Sequence, residues 1–156
     1  MARLTIAEDD LNDPDVRALV QLHLAAMHGA SPPDKVHALP VERLRDGGVA
    51  FFIARLDGVV AAMGAIRDIE PGHGELKSMR VAPAFLRQGL GEAMLLHLLG
   101  EARARGYTRV SLETGRTAPF APAIALYRKH GFAECPAFAD YVSDGFSQCL
   151  TLALDR

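Results

Sequence analysis

The chain has 156 residues, enough for one domain of ordinary size with a sizeable core. Hydrophobic residues make up 49% and charged residues 23%, which excludes a disordered or fibrous chain. Seventeen Lys and Arg stand against nineteen Asp and Glu, a formal net charge of -2, whereas a chain built to coat nucleic acid needs a basic excess; no nucleic-acid partner is expected.

Leu4 to Ile6 reads as a short first strand, and no apolar signal-peptide core follows the N-terminus. From Asp13 to His28 the apolar Val16, Leu19, Val20, Leu22, His23 and Met27 recur at helical spacing, with Asp13-Pro14 as cap and first position. Gly29 to Pro40 is a loop punctuated by glycine and prolines, and Val41 to Arg45 a short helix. Ala50 to Arg55 and Val59 to Ile66 read as strands joined by Leu56-Asp57-Gly58, an Asp-Gly hairpin signal. The second strand is the longest apolar run, far short of the ~20 residues a membrane helix needs, so no membrane partner is expected.

Glu75 to Val81 alternates as a third long strand. Gly89 to Arg105 carries the clearest helical stripe (Leu90, Met94, Leu95, Leu98, Leu99, Ala102) and stops at Gly106. Thr108 to Glu113 is a strand, and Ala121 to His130 a helix with basic residues at its C-terminal end. Phe132 to Cys135 and Ser147 to Leu154 close the chain as strands. Cys135 and Cys149 lack the CxxC spacing of a metal site, so no metal is expected; a reduced, cytoplasmic location is. This order of elements predicts an α/β (mixed α+β) fold, one mixed sheet with helices on its faces.

The most informative stretch is Met79 to Gly91. A strand ends, a short loop carries Arg87 and Gln88, and two glycines open a long helix. Free amides and the positive end of the helix dipole make such a segment an anion site, and glycines admit a phosphate close to the backbone. Gly89 and Gly91 equally suit a plain tight turn. A dinucleotide fingerprint needs a small residue where Met94 stands, and a P-loop needs Gly-Lys-Ser/Thr; both are absent.

Leu86 to Gly91 resembles the acyl-CoA loop of the GNAT superfamily of N-acetyltransferases, Arg/Gln-x-x-Gly-x-Gly/Ala between the fourth strand and the third helix. Ala123-Ile-Ala-Leu-Tyr-Arg-Lys-His-Gly-Phe132 is similar to the family's Ala-x-x-x-Tyr-x-x-x-Gly-Phe on its fourth helix. Ser31-Pro-Pro, His37-Ala-Leu and Phe138-Ala-Asp-Tyr141 resemble a poorly characterised bacterial subgroup. Leu86 stands where the family has Arg or Gln, and Phe120 where an Asn is common. The resemblance implies one GNAT-like domain over residues 1–156, with a mostly antiparallel mixed sheet of six to seven strands and about four helices.

The function it implies is acetyl-CoA-dependent transfer of an acetyl group to the amine of a small molecule or peptide, by direct attack in a ternary complex, in a chain able to form a homodimer. A non-catalytic acyl-CoA-binding sensor is the alternative, and a structural domain whose glycines only shape a turn is a third reading. Acetyl-CoA is then the cosubstrate. Its pantetheine arm pairs with the main chain of Met79, Arg80 and Val81 as an added strand. Its phosphates meet Arg87, Gln88, Gly89, Leu90, Gly91 and Glu92.

Tyr127 is the candidate acid, because a phenol with a pKa of about 10 holds a proton for a departing thiolate; an aromatic core anchor is the other reading. Glu75 is the candidate base, with Glu113 and His73 as rivals; an ordinary Glu pKa of ~4.3 would have to rise by burial. The acceptor rim is expected to collect His28, Ser31, His37, Glu113, Asp140 and Tyr141, with Asp144 beside them. The carboxylates of Asp140 and Asp144 point to a small cationic amine.

Overall fold

The computed structural model describes residues 2–45 and 48–154. The elements run β1 (Leu4–Glu8), α1 (Pro14–Ala30), α2 (Val41–Leu44), β2 (Val49–Leu56), β3 (Val59–Glu70), β4 (His73–Val81), α3 (Leu90–Ala104), β5 (Arg109–Gly115), α4 (Ala121–Lys129), β6 (Ala133–Cys135) and β7 (Ser147–Ala153). All seven strands form one open sheet in the order β1-β2-β3-β4-β5-β7-β6. Every pairing is antiparallel except β4 with β5, the one junction that a helix, α3, must cross over. The mixed α/β architecture expected from the sequence is the one observed.

Local chemistry sets the boundaries. The Asp13 carboxylate accepts from the Asp15 amide at 2.8 Å and Pro14 occupies the first turn, so α1 starts where the sequence places it. Asp57 and Gly58 both take positive φ, 52° and 83°, which suits a two-residue hairpin between Leu56 and Val59. The next hairpin, turning at Pro71-Gly72, lengthens β3 to Glu70 and starts β4 at His73, two residues before the sequence reading. Arg67, Asp68 and Glu70 carry no apolar signal, so only strand pairing discloses that extension.

The sheet is covered on both faces. Phe51 and Ile53 of β2 pack with Val16, Leu19 and Val20 of α1, while Phe52 and Ala54 turn to the opposite core. There the stripe Leu90, Met94, Leu95, Leu98, Leu99 and Ala102 of α3 is fully buried, as its spacing predicts. Leu22, read from spacing as part of the α1 stripe, is instead exposed; the buried face of that helix runs through His23.

One irregularity decides how β4 presents its side chains. Met63 pairs with Arg80, but Ala65 pairs with Lys77, so Gly64 alone faces both Ser78 and Met79. This is a β-bulge, and Ser78 takes φ 57° to make it. The extra residue resets the alternation: Met79 and Val81 lie on the α3 core, while Arg80 reaches His23 on α1. Gly64 is required opposite the bulge, since a Cβ there would stand 2.9 Å from Leu98 Cδ1 and Met94 Cγ.

Candidate active site

The parallel β4–β5 ladder is short. His73, Gly74 and Glu75 pair with Arg109, Val110 and Ser111, and no pair follows. Beyond that rung the strands part, leaving the edge of β4 from Leu76 to Val81 without a ladder partner on β5. A cavity of about 360 Å³ fills the gap, lined by β4, by Leu112 to Gly115 of β5, and by residues from both faces of the sheet.

On the α3–α4 side the cavity is lined by Met79, Val81, Gly91, Ala123 and Tyr127. Tyr127 is buried, and burial pushes its phenol up to about 12. Its hydroxyl donates to the Met79 thioether Sδ at 3.6 Å, a weak acceptor. Tyr127 also packs in the core against Phe132, so its anchoring and chemical readings coexist.

The loop between β4 and α3 turns through Arg87 at φ 64° and Gly89 at φ 80°. The first helical bond runs from the Ala93 amide to the Gly89 carbonyl, so the amides of Leu90, Gly91 and Glu92 have no intrahelical partner. Nothing lies within 4 Å of a Cβ built on Gly89. Arg87 and Gln88 are exposed beside this helix end. The Glu92 side chain turns elsewhere: Lys129 Nζ and His130 Nε2 each lie 2.7 Å from its carboxylate, tying α3 to the end of α4 and holding that carboxyl below its ordinary range.

On the α1 side stands a charged cluster. Glu75 is 1% exposed and both its oxygens are in use. Arg67 donates to Oε1 at 2.6 Å, while Lys77 at 3.3 Å and the Tyr141 hydroxyl donate to Oε2. Lys77 also donates to Tyr141 at 2.6 Å, and burial lowers its pKa despite the facing carboxylate. His37 meets the Tyr141 ring edge-on at 5.0 Å, so the loop before β7 folds against the loop after α1. Lys35 and Asp144 lock the same two loops at 2.5 Å.

The remaining expected residues divide. Ser31, His37 and Glu113 line the cavity, and burial raises the Glu113 pKa. His28 and Asp140 are exposed and do not line it. Asp144 is engaged by Lys35 and by the Phe146 and Ser147 amides, each at 2.8 Å, which hold it far below the ordinary carboxylate range. His73 lies outside the cavity, 2.7 Å from the Ser111 hydroxyl.

Sequence reading missed two partnerships. Lys77 follows Glu75 by two and so shares its face, a signal present in the alternation. Arg80 donates from Nε to His23 Nδ1 at 2.9 Å, a contact that only the bulge permits. Burial, with Arg80 and Lys77 nearby, pushes the His23 pKa down to about 4. No helix among the described residues is long and apolar enough to cross a membrane.

The comparisons bear on family and fold. The chain is 46% identical over 150 residues to the uncharacterised N-acetyltransferase YedL of Escherichia coli, covering 96% of this chain and 94% of that one. It is 37% identical over 145 residues to an IAA acetyltransferase of Azospirillum brasilense, covering 90% and 92%. A GNAT family acetyltransferase from Elizabethkingia anophelis, solved with acetyl-CoA bound, has the same fold at a TM-score of 0.72 and 17% identity, covering 97% and 98%. The model of the Acetyltransferase (GNAT) family matches residues 16–132, from within α1 to the residue before β6, and the chain belongs to that family.

Proposed function

We propose that this protein transfers the acetyl group of acetyl-CoA to the amine of a small molecule or peptide, by direct attack within a ternary complex. The observation that carries the reading is the parting of β4 from β5 beyond Glu75 and Ser111, which opens onto the free amides at the start of α3. An extended pantetheine arm pairs with the free edge of β4 at Met79, Arg80 and Val81. The amides of Gly89, Leu90, Gly91 and Glu92 receive the phosphates at the positive helix end, with Arg87 and Gln88 at the rim. A solved GNAT acetyltransferase of the same fold carries acetyl-CoA, which supports the choice of donor.

The amine nitrogen forms a bond to the thioester carbonyl carbon, the carbon–sulfur bond breaks, and the amine proton must leave. Glu113 takes that proton, directly or through water. It lines the cavity with a pKa raised by burial, toward the range a base needs. Glu75, the sequence-based candidate, is engaged by Arg67, Lys77 and Tyr141; it serves as the anchor that positions Lys77 and Tyr141. Tyr127 is protonated throughout the working pH range and gives its proton to the sulfur as the carbon–sulfur bond breaks, so CoA leaves as the free thiol and the phenolate regains a proton from water. The departing sulfur is an acceptor far stronger than the Met79 thioether that the phenol now touches.

Steady-state release of CoA from acetyl-CoA, followed with a thiol reagent over free amino acids, polyamines, aminoglycosides and short peptides, tests the reading. Amine-dependent release with a stoichiometric acetylated product is expected. Binding of acetyl-CoA without release on any amine would leave the sensor reading instead.

A further inference from the structure

We propose that the acceptor carries a carboxylate beside its amine, and that the Arg80 guanidinium receives it. The assignment rests on the acetyltransferase reading above and deepens it.

Regular alternation from Lys77 would turn Arg80 into the α3 core. The bulge at Ser78 and Met79 returns it to the face of Glu75 and Lys77, at the cost of a left-handed serine. There Arg80 lines the cavity, half-buried, with Nε fixed on His23 Nδ1 at 2.9 Å. Its two terminal nitrogens have no hydrogen-bond or ion-pair partner among the described residues. The other cations lining the cavity do: Lys35 holds Asp144, and Lys77 holds Glu75.

A guanidinium cannot shed its proton, so a partly desolvated one without a counter-ion favours an incoming anion. Two free nitrogens on one planar edge match the two oxygens of a carboxylate. His23 accepts from Arg80 as a neutral ring, which orients the fork without adding competing charge. Of the carboxylates expected at the acceptor rim, Glu113 lines the cavity as the proposed base and makes no ion pair with Arg80 among the described residues. Asp140 does not line the cavity, and Asp144 is consumed by Lys35 and two amides. A cavity of about 360 Å³, shared with a pantetheine arm, limits the acceptor to a small amino acid-like molecule or a chain terminus bearing both groups.

The test is a calorimetric titration of N-acetyl-L-amino acids, each against its own carboxamide, into the wild-type protein, Arg80→Met and Arg80→Lys, with and without saturating CoA. In the wild type at least one acid should bind about tenfold or more tighter than its amide, as a charge-assisted pair requires. The ratio should fall to within about twofold in Arg80→Met and be partly retained in Arg80→Lys, which keeps the cation if the Met variant does not fold. A ratio near one for every pair in the wild type, or a preference that survives Arg80→Met, overturns the assignment. Failure of CoA to bind counts against the acetyltransferase reading alone, because the CoA-free arm still reads the acid-to-amide ratio.

Discussion

Glu75 and Ser111 face each other across the last rung of the parallel β4–β5 ladder, and the cavity opens directly beyond them. The rung joins both halves of the site. Glu75 reaches back to Arg67, Lys77 and Tyr141 on the α1 side, while the freed edge of β4 runs forward to Met79 and Tyr127.

Tyr127→Phe keeps the ring that packs against Phe132 and removes the hydroxyl that donates to Met79 Sδ. The kcat should fall about 10²-fold, the usual scale for losing an acid, with KM for acetyl-CoA within about twofold. An unchanged kcat in steady-state CoA release would leave Tyr127 as a core anchor only.

Glu113 must be ionised to take a proton, so kcat/KM should fall as pH drops through its pKa. Burial raises that pKa, which moves the acidic limb of the profile above the ordinary carboxylate range. Glu113→Gln should lower the rate and remove this limb. If Glu75→Gln removes the limb and Glu113→Gln does not, the base is Glu75.

His23 is neutral in the folded protein down to about pH 4, but in the unfolded chain it takes a proton near the ordinary histidine pKa of about 6.5. Between these values the unfolded state binds more protons, so its contribution to stability is complete above pH 6.5 and is lost as pH falls toward 4. The loss is bounded by about 3 kcal/mol. Urea unfolding of wild type and His23→Gln across that window should show a smaller acid-side decline in the variant. Parallel declines would mean that His23 titrates normally.

Gly64→Ala places a methyl 2.9 Å from Leu98 Cδ1 and Met94 Cγ, against side chains that are fully buried. Overpacking there should cost about 1–3 kcal/mol and shift the bulge facing Gly64. A lowered denaturation midpoint in urea checks the effect; an unchanged midpoint would show that α3 yields freely.

Much of this fold is legible in the sequence because its signals are local. The α3 stripe, the Asp13-Pro14 start and the Asp57-Gly58 hairpin each depend on a few adjacent residues, and each forms as read. The loop from Leu86 to Gly91 is local too, and it stands at the start of α3 as expected. What escaped depends on pairing between distant segments. Nothing near Ser78 announces a bulge, so Arg80 could not be placed on the face of Lys77, nor His23 beneath it. The role of Glu75 likewise turns on Arg67, brought across by a hairpin, and on Tyr141, 66 positions along the chain. Asp144 shows the same limit: a rim carboxylate by sequence is a turn cap and ion-pair partner in space.

Calorimetric titration of acetyl-CoA into wild type and Gly89→Val, both shown to be folded by circular dichroism, tests whether the head of α3 receives the phosphates of the cosubstrate. Gly89 holds φ 80° at the head of α3, with open space where a side chain would stand. Saturable one-to-one binding to the wild type is expected, with affinity at least about tenfold weaker in the variant, whose side chain would block the helix amides and strain the turn. No binding to the wild type, or equal affinity in the two proteins, would contradict this.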